Sequence, residues 1–393
     1  MQFDPDSLME HVIYLAAGIG PRPPASAREK AAADYVRGVL ADLGAAELDE
    51  QSFYTSSTAG SLTIPYLAAA TAALPVAWTF GAVGRLLGGL TLISSAVGLR
   101  QGMRPRPPVY QDLVALERSQ NVIARFPAAQ EARQELVLLG HLDSQKSRRT
   151  FPRDQPELTK PVNTAGVALL GLTGIGLLLD GLSGEQRIRP WHLLVMGLAG
   201  YSLYEAARDE MEPHVPGAND NASAVAVLLE IGRALASDPL PHTAVTLLFT
   251  GAEEVGCTGI ESYIEQHRPD PATTLFLDLE MVGTGQIAYV NRHGISHFSE
   301  YVPGPRMTAA AAQVARENPE LGVTGREMVI VEEVGVLTAH GYDALCVAGH
   351  NAAGYLPNWH RATDTVENIE PDTLQRAAQY VWRLMHAGDE KWA

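Results

Sequence analysis

Cysteine is almost missing from this chain. The 393 residues hold two, Cys257 and Cys346, which cannot build a disulfide framework, and neither sits in a Cys-x-x-Cys pair suited to redox work or a structural zinc. Both read as small buried residues. Positive charge is scarce as well: 29 Lys and Arg stand against 45 Asp and Glu, a formal net charge of -16. With no clustered basic residues and no motif of a nucleic-acid reader, a nucleic-acid partner is excluded. A Gly-x-Ser-x-Gly elbow is absent, and neither cysteine has an obvious local partner, so the sequence offers no serine or cysteine nucleophile. The start of the chain is acidic, with Asp4 and Asp6 where a secretory signal is basic, and no apolar core with a small-residue cleavage site follows. A cytosolic start is expected.

Charge itself is missing from two long stretches, residues 51–84 and 161–179. Elsewhere the pattern is that of an α/β domain. Apolar residues at helical spacing over Ala25 to Leu43, closed by Gly44, predict an amphipathic helix. Leu136 to Leu139, Ala244 to Phe249 and Thr274 to Leu277 are short apolar runs with polar or turn residues at their ends and predict buried strands. Ala222 to Leu235 predicts an apolar helix opened by an Asn219-Asp220-Asn221 turn. Strands alternating with helices imply a mainly parallel mixed sheet with helices on both faces, and active-site loops gathered at the carboxyl ends of its strands.

The uncharged stretches fall outside that alternation. Leu62 to Leu99 reads as an apolar helical hairpin interrupted by Arg85, and Val162 to Tyr204 as a second, interrupted by Asp180, Glu185, Arg187 and Arg189. The expected division is a catalytic domain of residues 1–60, 101–160 and 205–393, with hairpins at 61–100 and 161–204. A soluble covering helix usually shows one charged face, whereas these runs are rich in the small residues that let helices approach closely in lipid. Membrane insertion is the expectation, with Arg85, Arg100 and Arg189 snorkelling to the interface; buried helices of a cytoplasmic soluble protein are the alternative. Arg100, Arg104, Arg106, Lys146, Arg148, Arg149, Arg153 and Lys160 flank the catalytic side, so that side is expected to face the cytosol. Nothing in the sequence sets the oligomeric state.

Five short motifs carry chemistry. In Gly140-His141-Leu142-Asp143, His141 can offer a neutral imidazole nitrogen to a metal while Asp143 accepts the other ring N–H. Asp220, in the turn before an apolar helix, can cap that helix or bridge two cations. Glu253 and Glu254 follow a buried strand; neighbouring side chains there point in different directions, so one can bind a metal while the other faces the water it activates. Asp278 lies at the end of another strand, in Leu277-Asp278-Leu279-Glu280, and His360 lies in the polar loop Asn358-Trp359-His360-Arg361-Ala362-Thr363-Asp364. Two His and several carboxylates make an N/O set suited to Zn²⁺, with Mn²⁺ or Co²⁺ able to enter it.

In this order the motifs resemble the zinc aminopeptidases related to bacterial leucyl aminopeptidase, family twenty-eight of the metallopeptidases, which also includes glutamate carboxypeptidase and glutaminyl cyclase. The resemblance covers roughly residues 10 to 50 and 115 to 390. It implies a zinc-exopeptidase fold of the phosphorylase/hydrolase-like kind, two zinc ions per chain and hydrolysis of peptides from a free N-terminus. On matching positions it makes Asp220 the bridging carboxylate, places His141 and Asp278 on one metal and Glu254 and His360 on the other, and makes Glu253 the general base. Asp143 then orients His141, and Asp364 supports the His360 loop. The chain departs from the family in the long insertion between Asp143 and Asp220, in Ala224 where Gly is usual, and in Trp359 where Tyr is usual, with Tyr355 a candidate substitute. A single-zinc glutaminyl cyclase and a non-catalytic membrane receptor or scaffold that keeps the fold are the competing readings.

Overall fold

The computed structural model describes residues 2–45, 47–104, 110–150, 156–185 and 187–389; Arg106 and Arg153, counted above, lie outside them. The strands are β1 (Glu47–Thr55), β2 (Glu117–Phe126), β3 (Gln134–His141), β4 (Thr243–Thr250), β5 (Thr274–Glu280), β6 (Gln286–Arg292), β7 (Thr324–Glu327) and β8 (Asp343–His350). The helices are α1 (Pro5–Ile13), α2 (Ala27–Asp42), α3 (Gly60–Thr79), α4 (Gly81–Gly102), α5 (Gln111–Val114), α6 (Pro156–Ser183), α7 (Pro190–Asp209), α8 (Ser223–Ser237), α9 (Thr258–His267), α10 (Pro305–Glu317), α11 (Val334–Ala339) and α12 (Pro371–Asp389).

The strands form one sheet in the order β1-β2-β4-β3-β5-β8-β6-β7. Its central four, β4, β3, β5 and β8, are parallel, and antiparallel pairings at β1/β2, β2/β4 and β8/β6 make it mixed. The period of two explains why the central strands read as unbroken apolar runs. Leu136 and Leu138 of β3 pack with Leu228 of α8 and Tyr380 of α12, while Val137 and Leu139 pack on the opposite face with Ile260 of α9 and Leu337 of α11. Ser26 caps α2 by accepting the Glu29 N–H at 3.2 Å, and Gly44 takes a positive φ of 71° just beyond its end. The departure at Ala224 has a local explanation. A methyl built on Gly140 would lie 3.1 Å from the Ala224 Cβ, so the missing side chain on β3 makes room for the extra one on α8.

The two insertions meet. Helices α3, α4, α6 and α7 pack into one bundle, α4 against α3 and α6, and α7 against α3 and α6, around an apolar core that includes Leu74, Leu92, Leu170 and Val195. Gly89 and Gly174 let α4 and α6 touch: a methyl on either would meet the other's carbonyl oxygen at 2.7–2.8 Å. The helices are longer than the apolar runs because their ends continue into polar turns docked on the sheet domain. Three, Gly60–Thr79, Gly81–Gly102 and Glu157–Ser183, are long and apolar enough to cross a membrane; at 1.5 Å per residue the 20 residues of α3 span about 30 Å.

Arg85 does not snorkel. Arg85 is 2 % exposed and turns inward, its Nη1 3.8 Å from Asp180 Oδ2, and Arg189 pairs with the same carboxylate. Burying the charge beside a partner replaces the excursion to an interface. Arg100 bonds the Phe298 carbonyl at 3.0 Å. The catalytic-side cations are likewise engaged: Lys146 and Arg148 both reach Glu210 at 2.9 Å, and Lys160 pairs with Glu300 and Glu327. Arg148 and Lys146 hold the Glu210 carboxylate down to about 2 against the opposing effect of its burial. These pairs fix the bundle to the sheet domain.

Candidate metal centre

Parallel strands deliver their functional residues to one edge of the sheet. His141 ends β3, the Gly251-Ala252-Glu253-Glu254 loop follows β4, Glu280 ends β5, and the loop after β8 carries His360. Asp220 comes from the irregular turn Ala218–Ala222 at the start of α8, where the Asp220–Asn221 peptide is cis. The backbone at three of these positions is held at positive φ, at Ala252 (55°), Met281 (51°) and His360 (51°). Non-glycine residues visit that region rarely and at a cost, so surrounding structure must impose it.

The structure brings His141, Asp220, Glu253, Glu254 and His360 together. The Asp220 carboxylate lies between the imidazoles, its Oδ1 3.2 Å from His141 Nε2 and its Oδ2 3.3 Å from His360 Nε2. His360 Nε2 is also 3.1 Å from Glu254 Oε2, and His141 Nε2 3.5 Å from Glu280 Oε2. Of three triads around the site, two share Asp220, His141 with Asp220 and Glu280, and Asp220 with Glu254 and His360; the third is His141 with Glu253 and Glu254. Donors 2.0–2.1 Å from a tetrahedral Zn²⁺ stand about 3.3–3.4 Å apart. The observed separations bracket that value, so the donor set fits a divalent cation in each of the two triads that share Asp220.

Asp278 is the exception among the sequence-derived ligands. In the β3/β5 register Leu139 pairs with Asp278, so two residues further along each strand bring Glu280, not Asp278, beside His141. Asp278 sits about 6.6 Å deeper along the strand. There it pairs across to Cys346 of β8 and faces Glu332. Burial, with Glu332 and Glu333 nearby, pushes its carboxyl well above the usual range, and the metal-capable side chains beside it are Glu332 and Cys346 rather than His141.

Three further sequence assignments are refined. Asp143 reaches beyond His141: its two carboxylate oxygens accept the N–H groups of Glu253 and Glu254 at 3.1 Å each. The His141 Nδ1 lies 3.1 Å from the Asp143 carbonyl oxygen and 3.4 Å from its carboxylate. Asp364 accepts the N–H groups of Asn219 and Asp220, at 2.6 and 3.2 Å, and its own N–H bonds the Arg361 carbonyl at 2.9 Å, so it ties the Asp220 turn to the His360 loop. Trp359 lies against His360, ring centroids 5.2 Å apart, and lines the cavity above the site. Tyr355 is buried in the core with Leu356 and Met281.

Arg22 and Glu29 were invisible to motif reading. Arg22, 1 % exposed, donates to the carbonyls of Leu142 (2.7 Å), Pro216 (2.6 Å) and Gly217 (2.9 Å), clamping the His141 loop to the Asp220 turn. Burial lowers its pKa to about 10, with Asp364 and Asp143 opposing the fall, so it stays charged at neutral pH. Glu29 accepts the Ala252 N–H at 2.9 Å and holds the residue before Glu253. Glu29 lies in the first turn of predicted helix α2 and Arg22 shortly before it, and neither belongs to a motif. Replacing Arg22 by Met strands several buried carbonyls and is expected to lower stability by about 3–5 kcal/mol, read as a leftward shift of the denaturant midpoint with unchanged slope.

Electrostatically the site holds too much negative charge for its two histidines. Burial, opposed by His141, pushes Glu253 well above the carboxylate range, and burial likewise raises Glu254 and takes Glu280 to about 7. Burial opposes protonation of His141 and His360, yet Glu280 drives the first well above the imidazole range and Glu254 drives the second to about 9. Divalent cations resolve such an excess by holding the carboxylates ionised and the imidazoles neutral. Burial also raises Cys257 well above the thiol range; its Sγ lies 3.2 Å from Glu253 Oε1 as a donor, which removes it as a nucleophile. Above the carboxylates opens a cavity of about 340 Å³, walled by Leu62, Leu99, Met103, Asn163 and Ala206 of the bundle and by Ile330.

Residues 201–385 match the profile of Peptidase family M28. The chain is 29 % identical over 193 residues to endoplasmic reticulum metallopeptidase 1 of Rattus norvegicus, covering 48 % of this chain and 20 % of that protein. To aminopeptidase YwaD of Bacillus subtilis it is 28 % identical over 197 residues, covering 48 % and 41 %. The chain thus spans well under half the length of these curated relatives. Its fold is shared by a Zn-dependent exopeptidase of Parabacteroides distasonis (TM-score 0.56, 18 % identity, 98 % and 99 % covered) and a glutaminyl cyclase of Bacteroides thetaiotaomicron (TM-score 0.58, 14 % identity, 98 % of each covered). Asp220, Glu253, Glu254, Glu280 and His360 all lie inside the segment that is similar to Peptidase family M28.

Proposed function

We propose that the chain is an aminopeptidase-type metallopeptidase using two zinc ions, with Mn²⁺ or Co²⁺ as possible replacements, and anchored in a membrane by its helical bundle. The observation that carries the two-metal reading is the Asp220 carboxylate, each oxygen of which faces a different histidine at 3.2–3.3 Å. A single-metal site has no need of that symmetry. In this reading Asp220 is shared, His141 and Glu280 complete one site, and Glu254 and His360 complete the other. Bound there, the cations supply Lewis-acid polarisation of the scissile carbonyl and acidify the attacking water.

Glu253 does the proton work. It stands at the cavity floor, its Oε2 4.0 Å from His141 Nε2, just beyond the spacing of the ligand pairs. It takes a proton as the water attacks and delivers it to the amine as the carbon–nitrogen bond breaks. Asp143 fixes the loop that aims it, and the surplus of carboxylates offers a place to the free amine of the substrate. The test is zinc content together with hydrolysis of aminoacyl-nitroanilides and a peptide library by detergent-solubilised protein. About two zinc ions per chain with release of N-terminal residues is expected. Cyclisation of an N-terminal glutaminyl peptide with one zinc would favour the cyclase reading, and full zinc occupancy without turnover the scaffold reading.

Membrane anchoring is supported by the outward faces of the bundle, where Phe80, Leu87, Leu90, Leu172, Leu179 and Leu194 are all more than half exposed. The catalytic side carries the larger share of Lys and Arg and is assigned to the cytosol. Extraction of membranes with carbonate and high salt is expected to leave the protein in the pellet; its release into the soluble fraction would refute integral insertion.

A further inference from the structure

Glu210 stands where the first insertion leaves the sheet domain and the second returns to it. It follows directly on α7 and accepts the Thr58 hydroxyl. It also lies against Gly60 at the start of α3, where a methyl would come within 2.7 Å of its Cγ. On the side away from the bundle, Glu210 Oε1 accepts from Arg148 Nη2 at 2.9 Å. The same nitrogen donates to Gln145 Oε1 at 2.9 Å. Gln145 Nε2 in turn donates to the Glu254 carboxylate at 3.0 Å and to the Glu254 carbonyl at 3.1 Å. Three side chains thus lead from the root of the bundle to the metal centre, and the Arg148 N–H adds a bond to the His360 carbonyl at 2.9 Å.

We propose that Gln145, Arg148 and Glu210 are positioning residues, a relay through which the helical bundle sets the Glu254–His360 half of the metal centre and leaves the His141–Glu280 half alone. This rests on the two-metal reading above. The direction of each bond follows from its chemistry. A guanidinium only donates, so it draws the Gln145 oxygen to itself, as does the Lys146 N–H at 2.9 Å. The amide nitrogen is then left for the Glu254 carboxylate. Gln145 and Arg148 are 5 and 9 % exposed, so water is a poor substitute for either. Asp143 holds the Glu254 backbone through its N–H, and Gln145 holds the carboxylate itself. The other half is held from within the sheet domain: Glu280 Oε2 accepts from Asn221 Nδ2 at 3.1 Å, and His141 Nδ1 faces the Asp143 carbonyl. Groups that orient a ligand govern metal affinity without touching the metal.

The test is stepwise zinc affinity of the detergent-solubilised chain, measured in competition with a chromophoric chelator; His360→Ala marks the step that belongs to the Glu254–His360 half. Gln145→Met keeps length and bulk but removes the amide. It is expected to weaken that step about 10- to 100-fold and to leave the other within about threefold, with kcat largely restored by excess zinc. Arg148→Met and Glu210→Gln should weaken the same step. Arg148→Lys should recover part of the loss, because one nitrogen makes both of the Arg148 side-chain bonds. Equal weakening of both steps in Gln145→Met, or none, would overturn the relay. So would a loss confined to Gln145→Met, with Arg148→Met and Glu210→Gln unchanged. Arg148→Met carries the same readouts if Gln145→Met does not fold. A single zinc, or none, in the unaltered protein would instead refute the two-metal reading. The relay is then decided by amide hydrogen exchange of the metal-free protein: Gln145→Met is expected to speed exchange over residues 252–257 and not over 278–283, and unchanged rates over 252–257 would overturn it.

Discussion

Glu253→Gln is expected to lower kcat on the order of a thousandfold, within the usual range for removing a general base, while bound zinc stays near its original level. The substitution keeps the shape of the side chain. The Glu253 N–H still reaches Asp143 Oδ1, now 3.1 Å away, and the amide oxygen can still accept from Cys257. What disappears is the capacity to hold a proton. Because that interaction matters only as the water is deprotonated, kcat and kcat/KM should fall together and KM should change little. Metal should stay because Glu253 stands 4.0 Å from His141 Nε2, whereas the ligand pairs are 3.1–3.5 Å apart. Asp220→Ala gives the contrast: removing the one carboxylate facing both histidines should lose metal and turnover alike. Zinc analysis and steady-state kinetics on the two variants check both statements, and activity of Glu253→Gln within tenfold of the parent would remove Glu253 from the proposed role.

Much of this arrangement was legible before any coordinates. The apolar runs that became β3, β4 and β5 are short and uncharged because these strands are buried on both faces, and that burial is what a central parallel sheet requires. Helix α2 was marked by its own apolar stripe. Four of the five expected ligands, together with Glu253 and Asp143, converge because their motifs end a strand, open a helix or lie in a loop that follows a strand at the same edge. The bundle was harder to read. Sequence shows that two hairpins exist, but the Gly89–Gly174 contact that joins them and the inward Arg85–Asp180 pair depend on partners almost a hundred residues away. Arg22 and Glu29 were missed for a related reason: each acts on backbone atoms of loops more than a hundred residues distant, and bonds to backbone leave no trace in a pattern of side chains.

Register sets the expected ligand Asp278 apart from the other four, and it yields the second large expected effect. Glu280→Ala should weaken binding of one zinc by more than about a hundredfold, beyond what loss of a hydrogen-bond partner to a ligand usually costs, and activity should fall at least as far. Asp278→Asn should keep both zinc and turnover within a few-fold. Both carboxylates lie on the same face of β5, since residues two apart point the same way, so face alone does not choose between them; depth does. Glu280 is the last residue of the strand and reaches His141 Nε2 at 3.5 Å. Asp278 is one repeat further in, beside Glu332 and Cys346, where Asn reproduces the hydrogen-bonding capacity of a neutral acid. Glu280→Asp adds a third measurement. Shortening the arm by one methylene should restore part of the zinc affinity lost in Glu280→Ala, because the carboxylate remains at the strand end. Metal analysis after dialysis orders the three variants, and loss of zinc in Asp278→Asn with retention in Glu280→Ala would return the ligand to the inner position.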